Sequence, residues 1–236
     1  MTAIKGVKLD EQTVNACKEK IQEYMSAKGK VGGLLEVVLK KNTTPKEVIE
    51  ISAISRDKDG KKNPHQQRLE NEALANFAKE LTEIEDKIRK AKNFPDLFKQ
   101  VKEIGENING VGEMAIYDVS LRIGEYREKK LKPDKIYLHA GTKKGVKKLF
   151  KIAGTKFEKH GSIPKNELPE PFRSCKLTPS QLEDFFCIYK DELGKSGNKA
   201  RKNCAAVAQN SPKSCSQVLA RQTKTEKRSK ICTPSI

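Results

Sequence analysis

Two glycines separated by one valine, Gly110-Val111-Gly112, interrupt a pattern that is otherwise helical. Apolar residues recur every three or four positions on both sides of this glycine turn (Gly110–Gly112), which predicts one amphipathic helix before it and another after it. Because glycine adopts backbone conformations that other residues avoid, the pair predicts a tight connection. Such a connection leaves the first N–H groups of the second helix available to an anion.

Further helices are predicted on both sides of this unit. Thr44–Glu47 and Thr178–Gln181 both have the pattern of a capping box with proline at the first helical position. Asn93-Phe94-Pro95 is expected to begin the helix before the glycine turn. Apolar spacing predicts a long helix from about His65 to Lys92. The polar segment 57–64 is expected to be a break.

A basic helix is predicted at about residues 142–153, where Thr142 can act as the N-cap. Lys143, Lys147 and Lys151 share one face by their spacing of four, and Lys144 and Lys148 lie beside them. Lysines in a first turn gain nothing from the helix dipole, so an anion is expected there. The alternative is a solvated basic face.

Positive charge is concentrated in two segments. The chain has 48 Lys and Arg residues against 31 Asp and Glu, a net charge of +17. Residues 129–160 carry +9 and residues 194–236 carry another +9, so the remainder is nearly neutral. Because apolar residues are few and scattered after residue 193, a basic and largely disordered tail is predicted at 194–236. This uneven distribution favours binding to a polyanion.

Neither a cofactor nor a metal ion is expected. The six cysteines include no Cys-x-x-Cys pair and form no zinc pattern with the three histidines. We interpret them as reduced thiols of an intracellular protein, with disulfides in a secreted protein as the alternative. No apolar run reaches the roughly 18 residues of a membrane span, and the N-terminus lacks a signal-peptide core. A cytoplasmic, nucleoid-associated or (in a eukaryote) nuclear protein is expected, without a membrane partner and of undetermined oligomeric state.

The segment Ile104–Ile123 resembles the helix-hairpin-helix motif of DNA-binding proteins. The matching residues are Ile108, Gly110, Val111, Gly112 and Ala115. In that family the backbone amides of the turn bind DNA phosphates without reading bases, so the resemblance implies a duplex DNA partner. Asn109 stands where proline is usual. Glu113 also departs from this chemistry, because a carboxylate at a helix start competes with phosphate for the same positive pole.

The layout after the turn is similar to that of base-excision DNA glycosylases built on this hairpin. Those enzymes carry a catalytic Asp after the second helix, and some carry a catalytic Lys just inside it. Tyr137 and Met114 stand at these positions, and neither can supply the carboxylate or amine that the reaction needs. His139 is a candidate general base without an identifiable partner. A binding protein is therefore expected, with a diverged glycosylase or lyase as an alternative.

The sequence thus predicts an all-α, multi-helix globular domain over residues 1–193, with about eight helices and a helix-hairpin-helix at about 95–126. The predicted function is sequence-independent nucleic-acid binding, with duplex DNA favoured. A helical module that binds an acidic protein partner through its lysines remains another alternative. The predicted nucleic-acid-binding residues are Gly110, Val111, Gly112, Thr142, Lys143, Lys144, Lys147, Lys148 and Lys151.

Overall fold

The computed structural model describes residues 7–27, 43–57, 59–127, 129–158 and 161–194. The chain divides into two units, Met1–Leu193 and Gly194–Ile236. The tail predicted as basic and disordered therefore lies, from residue 195 onward, outside the described residues. In the described part, no helix combines the length and the apolar composition that crossing a membrane requires.

The described residues are mostly helical, which confirms the predicted all-α class. Their eight α-helices are α1 (Glu11–Ala27), α2 (Pro45–Ile54), α3 (Asn71–Glu83), α4 (Glu85–Arg89), α5 (Phe94–Gly105), α6 (Glu113–Tyr126), α7 (Ala140–Ile152) and α8 (Pro179–Ile188). Two short strands, β1 (Ile136–Tyr137) and β2 (Ser162–Ile163), pair antiparallel with Ile136 opposite Ile163. Single 3-10 turns lie at Pro64–Gln66 and Lys165–Glu167.

Local capping signals set the starts of three helices as predicted. The hydroxyls of Thr44 and Thr178 accept hydrogen bonds from backbone N–H groups three residues on, and both capping boxes are complete. The Asn93 side chain caps α5 in the same way, accepting from the N–H of Asp96 at 2.9 Å. Proline follows each of these caps within the first two helical positions.

The predicted long helix is wrong, and the predicted basic helix is present but begins before Thr142. The long helix expected over 65–92 is divided into α3 and α4 by Ile84, whose φ of −105° and ψ of 20° depart from helical values, and it begins only at Asn71. The basic helix α7 begins at Ala140 with His139 as its N-cap, so Thr142 lies inside the first turn and does not cap it. Apolar spacing continues through Ile84 and hides the first boundary, whereas the start of α7 was misplaced because threonine is a preferred N-cap residue.

The described residues pack around two main apolar cores. One is formed by α2 to α6, with Phe77, Leu81, Leu97 and Val101 fully buried. The other is formed by α1, β1, α7, β2, α8 and the segment between β2 and α8. A separate aromatic cluster joins Phe94 of α5, Tyr117 of α6 and Tyr137 of β1. This cluster fixes the strand that leads into α7 against the two helices that flank the glycine turn.

Candidate nucleic-acid interface

The glycine turn is exposed and has the backbone geometry that requires glycine. Gly110 has a φ of +90°, a value that other residues rarely adopt. Gly110 and Gly112 are exposed, while the Val111 side chain is buried in the first core. The N–H of Val111 donates to the carbonyl of Ile108 at 3.1 Å, so this amide belongs to the turn itself. Of the three predicted binding residues, Gly110 and Gly112 are therefore the two that are exposed.

Helix α6 starts at this turn without a side-chain cap. Gly112 is its N-cap residue and contributes no capping side chain, and the first intrahelical bond runs from the N–H of Ile116 to the carbonyl of Gly112. The N–H groups of the first turn therefore carry the positive end of the helix dipole. Nothing within 4 Å would meet a Cβ placed at Gly112, so the approach to this helix end is open. Exposed Glu113 reduces the local positive potential.

Helix α7 presents three exposed lysines, Lys144, Lys147 and Lys151, which we call the lysine face. Lys143 and Lys148 are half-buried at its edge. The ammonium group of Lys148 donates to the carbonyl of Asp191 at 2.9 Å, which ties this side chain to the segment after α8. Lys147 and Lys151 also line an open pocket of about 500 Å³ together with Lys156. The predicted lysines thus divide into three exposed ones and two that are partly packed.

Thr142 has no place in this interface, which corrects its prediction as a binding residue. Its side chain is fully buried, and its hydroxyl donates to the Glu183 carboxylate at 2.6 Å. The burial follows from the close approach of α7 to α8. A Cβ added at Gly145, one turn further along, would lie 2.3 Å from the carbonyl oxygen of Phe186. A phosphate cannot reach a hydroxyl enclosed between two helices in this way.

The start of α6 and the start of α7 border one pocket of about 230 Å³, which we call the α6–α7 pocket. Its lining includes Phe98 and Lys102 from α5, Glu113 and Ile116 from α6, Tyr137 from β1, and His139 at the N-cap of α7. The pocket therefore places the residue after the glycine turn and the N-terminus of the lysine-rich helix at one location on the molecule.

His139 is buried rather than exposed to solvent, with 4% of its surface accessible. Its ring lies 4.6 Å from that of Tyr117, centroid to centroid. Within the described part of the chain, neither imidazole nitrogen has a hydrogen-bond partner. Burial lowers the pKa of His139, so the ring is neutral at pH 7 and offers one donor and one acceptor. No partner that would make it a general base is therefore positioned by hydrogen bonding.

A largely buried polar cluster with an exposed histidine, which the sequence did not reveal, lies where α6 faces the 3-10 turn at Pro64–Gln66. The Asp118 carboxylate accepts hydrogen bonds from Nδ1 of His65 and from the side-chain amide of Gln66, both at 3.0 Å. The Arg122 guanidinium lies 3.5 Å from the same carboxylate. Burial alone would raise the pKa of Asp118, but the His65 hydrogen bond and the Arg122 charge outweigh it and hold this pKa below its usual value.

Glu183 of α8 is the second buried carboxyl group that the sequence did not single out. Its side chain accepts the Thr142 hydrogen bond, and burial raises its pKa to about 7. The charges of Asp184 and Asp118 contribute to this rise in pKa to a smaller extent than burial does. Its partner Thr142 is 41 residues away in sequence, and no local pattern could have indicated it.

Comparison with other proteins identifies no relative of this chain, so the candidate interface rests on the geometry described above. The chain matches no protein-family model, and no curated protein or solved structure is significantly similar to it. Of the two residues that the sequence resemblance aligns with glycosylase catalytic positions, Tyr137 is buried in the aromatic cluster and Met114 is half-buried. Among the described residues, no group of three His, Cys, Asp or Glu side chains could hold a metal ion, and Cys17, Cys175 and Cys187 are free thiols.

Proposed function

We propose that this protein binds nucleic acid without sequence preference, with the backbone of duplex DNA as its main partner. The observation that carries the proposal is the exposed, uncapped helix start at Gly112, which borders the same pocket as the start of α7. In this proposal α5, the glycine turn and α6 act as a helix-hairpin-helix. Amides at the turn hold one phosphate, and the lysine face attracts further phosphates along the strand.

A salt titration tests the electrostatic part of the proposal. Each lysine–phosphate contact contributes about −0.9 to the slope of log affinity against log salt concentration, so the three residues of the lysine face account for about −2.7. Replacing Lys144, Lys147 and Lys151 by Glu should weaken duplex binding strongly and flatten the slope by at least this amount. Fluorescence anisotropy with a labelled duplex at several salt concentrations measures both quantities.

The matched control replaces Lys79, Lys90 and Lys92 by Glu. These lysines are also exposed but belong to α3 and the segment after α4. The control makes the same change in net charge and should reduce affinity much less. Equal reductions in the two variants would assign binding to the total charge of the chain and reject the lysine face. A flat response to salt would reject binding to the phosphate backbone altogether.

The glycine turn has its own test in Gly112→Asp. Gly112 has the extended backbone of a typical N-cap residue, with φ −98° and ψ 171°, and has open space around it. An Asp there should cap α6 and stabilise the fold by a few tenths of a kcal/mol or more. Its carboxylate would also occupy the position proposed for phosphate. We expect higher resistance to urea together with weaker DNA binding, whereas unchanged binding would exclude the turn from the interface.

A further inference from the structure

The described residues form two lobes, each with its own apolar core. The first lobe contains α2 to α6, and the second contains α1, β1, α7, β2, α8 and the segment between β2 and α8. The most extensive helix contacts lie within a lobe, since α2 packs on α3 and α6 in the first and α7 packs on α8 in the second. Because each lobe buries its own core, the lobes can move relative to each other without opening either core.

The two lobes meet at an aromatic junction. Tyr137 of the second lobe lies 4.6 Å from Phe98 and 5.3 Å from Tyr117, both of the first lobe, measured between ring centroids. The α6–α7 pocket is a cleft at this junction, since Phe98 lines it from the first lobe and Leu138 from the second. Open space therefore lies beside the rings that join the lobes.

The junction also buries polar atoms that have no partner. The hydroxyl of Tyr117 and both imidazole nitrogens of His139 are buried without a hydrogen-bond partner among the described residues. Their rings lie 4.6 Å apart, and they belong to different lobes. A buried donor or acceptor without a partner destabilises the arrangement that buries it. Separation of the lobes would allow water to reach these atoms, so they oppose the closed junction.

The connection from the first lobe to the second provides a place to bend. Up to Leu131 the chain stays with the first lobe, because the N–H of Leu131 donates to the carbonyl of Gly124 at 3.0 Å. The second lobe resumes at Ile136, where β1 begins. None of residues 132–135 lies in a helix or a strand. Hinges are commonly a few residues between elements, which absorb the change in φ and ψ.

We propose that the junction is a hinge, at which the two lobes separate and close again in solution. In the closed arrangement the rings of Phe98, Tyr117 and Tyr137 are in contact, whereas in the open one water hydrogen-bonds to Tyr117 and His139. Burial of the rings favours closure and the unpartnered polar atoms oppose it. The open arrangement is expected in roughly 1–10% of the molecules.

The hinge connects the two features to which DNA binding is assigned. The helix start at Gly112 belongs to the first lobe, and the lysine face belongs to the second. Opening of the junction therefore changes their relative position. A duplex that contacts both features would hold the lobes in one arrangement and suppress the motion, a consequence that rests on the proposed function.

Relaxation dispersion of backbone 15N signals tests the hinge in the unsubstituted chain without DNA. The amides of Tyr117, Leu138 and His139 should show one common exchange process on the microsecond-to-millisecond timescale. Leu81 and Leu149, one in each core, should show no such exchange. Absence of exchange at the junction, or the same exchange in both cores, overturns the proposal.

Two substitutions shift the balance towards the closed arrangement. His139→Phe and Tyr117→Phe each keep a ring and remove unpartnered polar atoms, so the fold should be at least as stable. The open population should fall about tenfold or more in His139→Phe, which removes two such atoms, and the dispersion should be lost. The matched control is Tyr126→Phe, which also removes a hydroxyl, but one that donates to the Thr43 carbonyl. The control should leave the exchange at the junction unchanged.

Unchanged exchange in both His139→Phe and Tyr117→Phe overturns the proposal, as does an equal loss of exchange in Tyr126→Phe. Addition of duplex DNA then separates the hinge from the proposed function. Suppressed exchange in the bound chain is the expected result. Exchange that persists in a bound chain overturns the bridging of the lobes by DNA. A duplex that does not bind overturns only the proposed function, because the measurements on the free chain and its variants do not involve DNA.

Discussion

Glu183 keeps its proton to an unusually high pH because α7 and α8 enclose its carboxyl group. Its pKa rises from 4.5 in the unfolded chain to about 7 in the fold, chiefly through burial. Between these two values the folded chain binds one more proton than the unfolded chain. The free energy of unfolding therefore falls by about 1.4 kcal/mol per pH unit as the pH rises through this window, and the effect ends above about pH 7.

Replacing this carboxyl group should remove that pH dependence. Glu183→Gln is uncharged at every pH and keeps an oxygen that can accept the Thr142 hydrogen bond. We expect the variant to match the unsubstituted chain near pH 4.5 and to exceed its stability at pH 8, as measured by urea unfolding at four pH values. Glu80→Gln, at an exposed position, serves as the control and should leave the dependence of stability on pH unchanged. Parallel pH profiles for Glu183→Gln and the unsubstituted chain would contradict the burial of a proton at this site.

At the scale of elements, Gly145 determines how closely α7 approaches α8. A Cβ at this position would lie 2.3 Å from the Phe186 carbonyl oxygen and 3.0 Å from its carbonyl carbon. Backbone atoms cannot move aside as a flexible side chain can. Gly145→Ala should therefore lower the free energy of unfolding by about 1–3 kcal/mol, although alanine favours a helix by about 1 kcal/mol over glycine.

Gly112→Ala is the control for steric contact, since nothing lies within 4 Å of its Cβ position. Because alanine is a poorer N-cap residue than glycine, it should lower the urea midpoint somewhat, but less than Gly145→Ala does. If Gly145→Ala unfolded at the same urea concentration as the control, the two helices would have to separate more easily than their packing implies. A larger destabilisation in Gly145→Ala would confirm that the close approach which buries Thr142 also holds α7 in position.

The start of a helix could be predicted where the residues that determine it lie close together in the sequence. The starts of α2, α5 and α8 follow from caps whose partners lie three residues away. The glycine turn and the helices around it were also predictable, because the glycine pair and the apolar spacing on both sides of it are local signals. The buried hydrogen bond of Thr142 could not be predicted, because its partner Glu183 is 41 residues away and only folding brings the two together. The division between α3 and α4 was also hidden, since apolar spacing continues through Ile84.

Across the whole chain, the excess positive charge lies in two segments, and we expect each to contribute separately to the proposed binding. The segment at 129–160 includes α7, and residues 194–236 carry a further +9 by sequence alone. A chain that ends at Leu193 retains the unit that contains the glycine turn and the lysine face. If those features form the binding surface, the shortened chain must still bind duplex DNA and must still respond to the lysine-face substitutions.

The shortened chain should therefore bind with a shallower salt dependence than the full chain. Each phosphate that a basic residue of the tail neutralises adds about 0.9 to the magnitude of the log–log slope, so removal of the tail lowers both this slope and the affinity at low salt. Anisotropy titrations of both chains, each with and without Lys144→Glu, Lys147→Glu and Lys151→Glu, separate the two contributions. Additive reductions in binding free energy would assign independent binding surfaces to the folded unit and the tail. Complete absence of binding in the shortened chain, with normal helicity by circular dichroism, would instead assign the interaction to residues 194–236 and remove the lysine face from it.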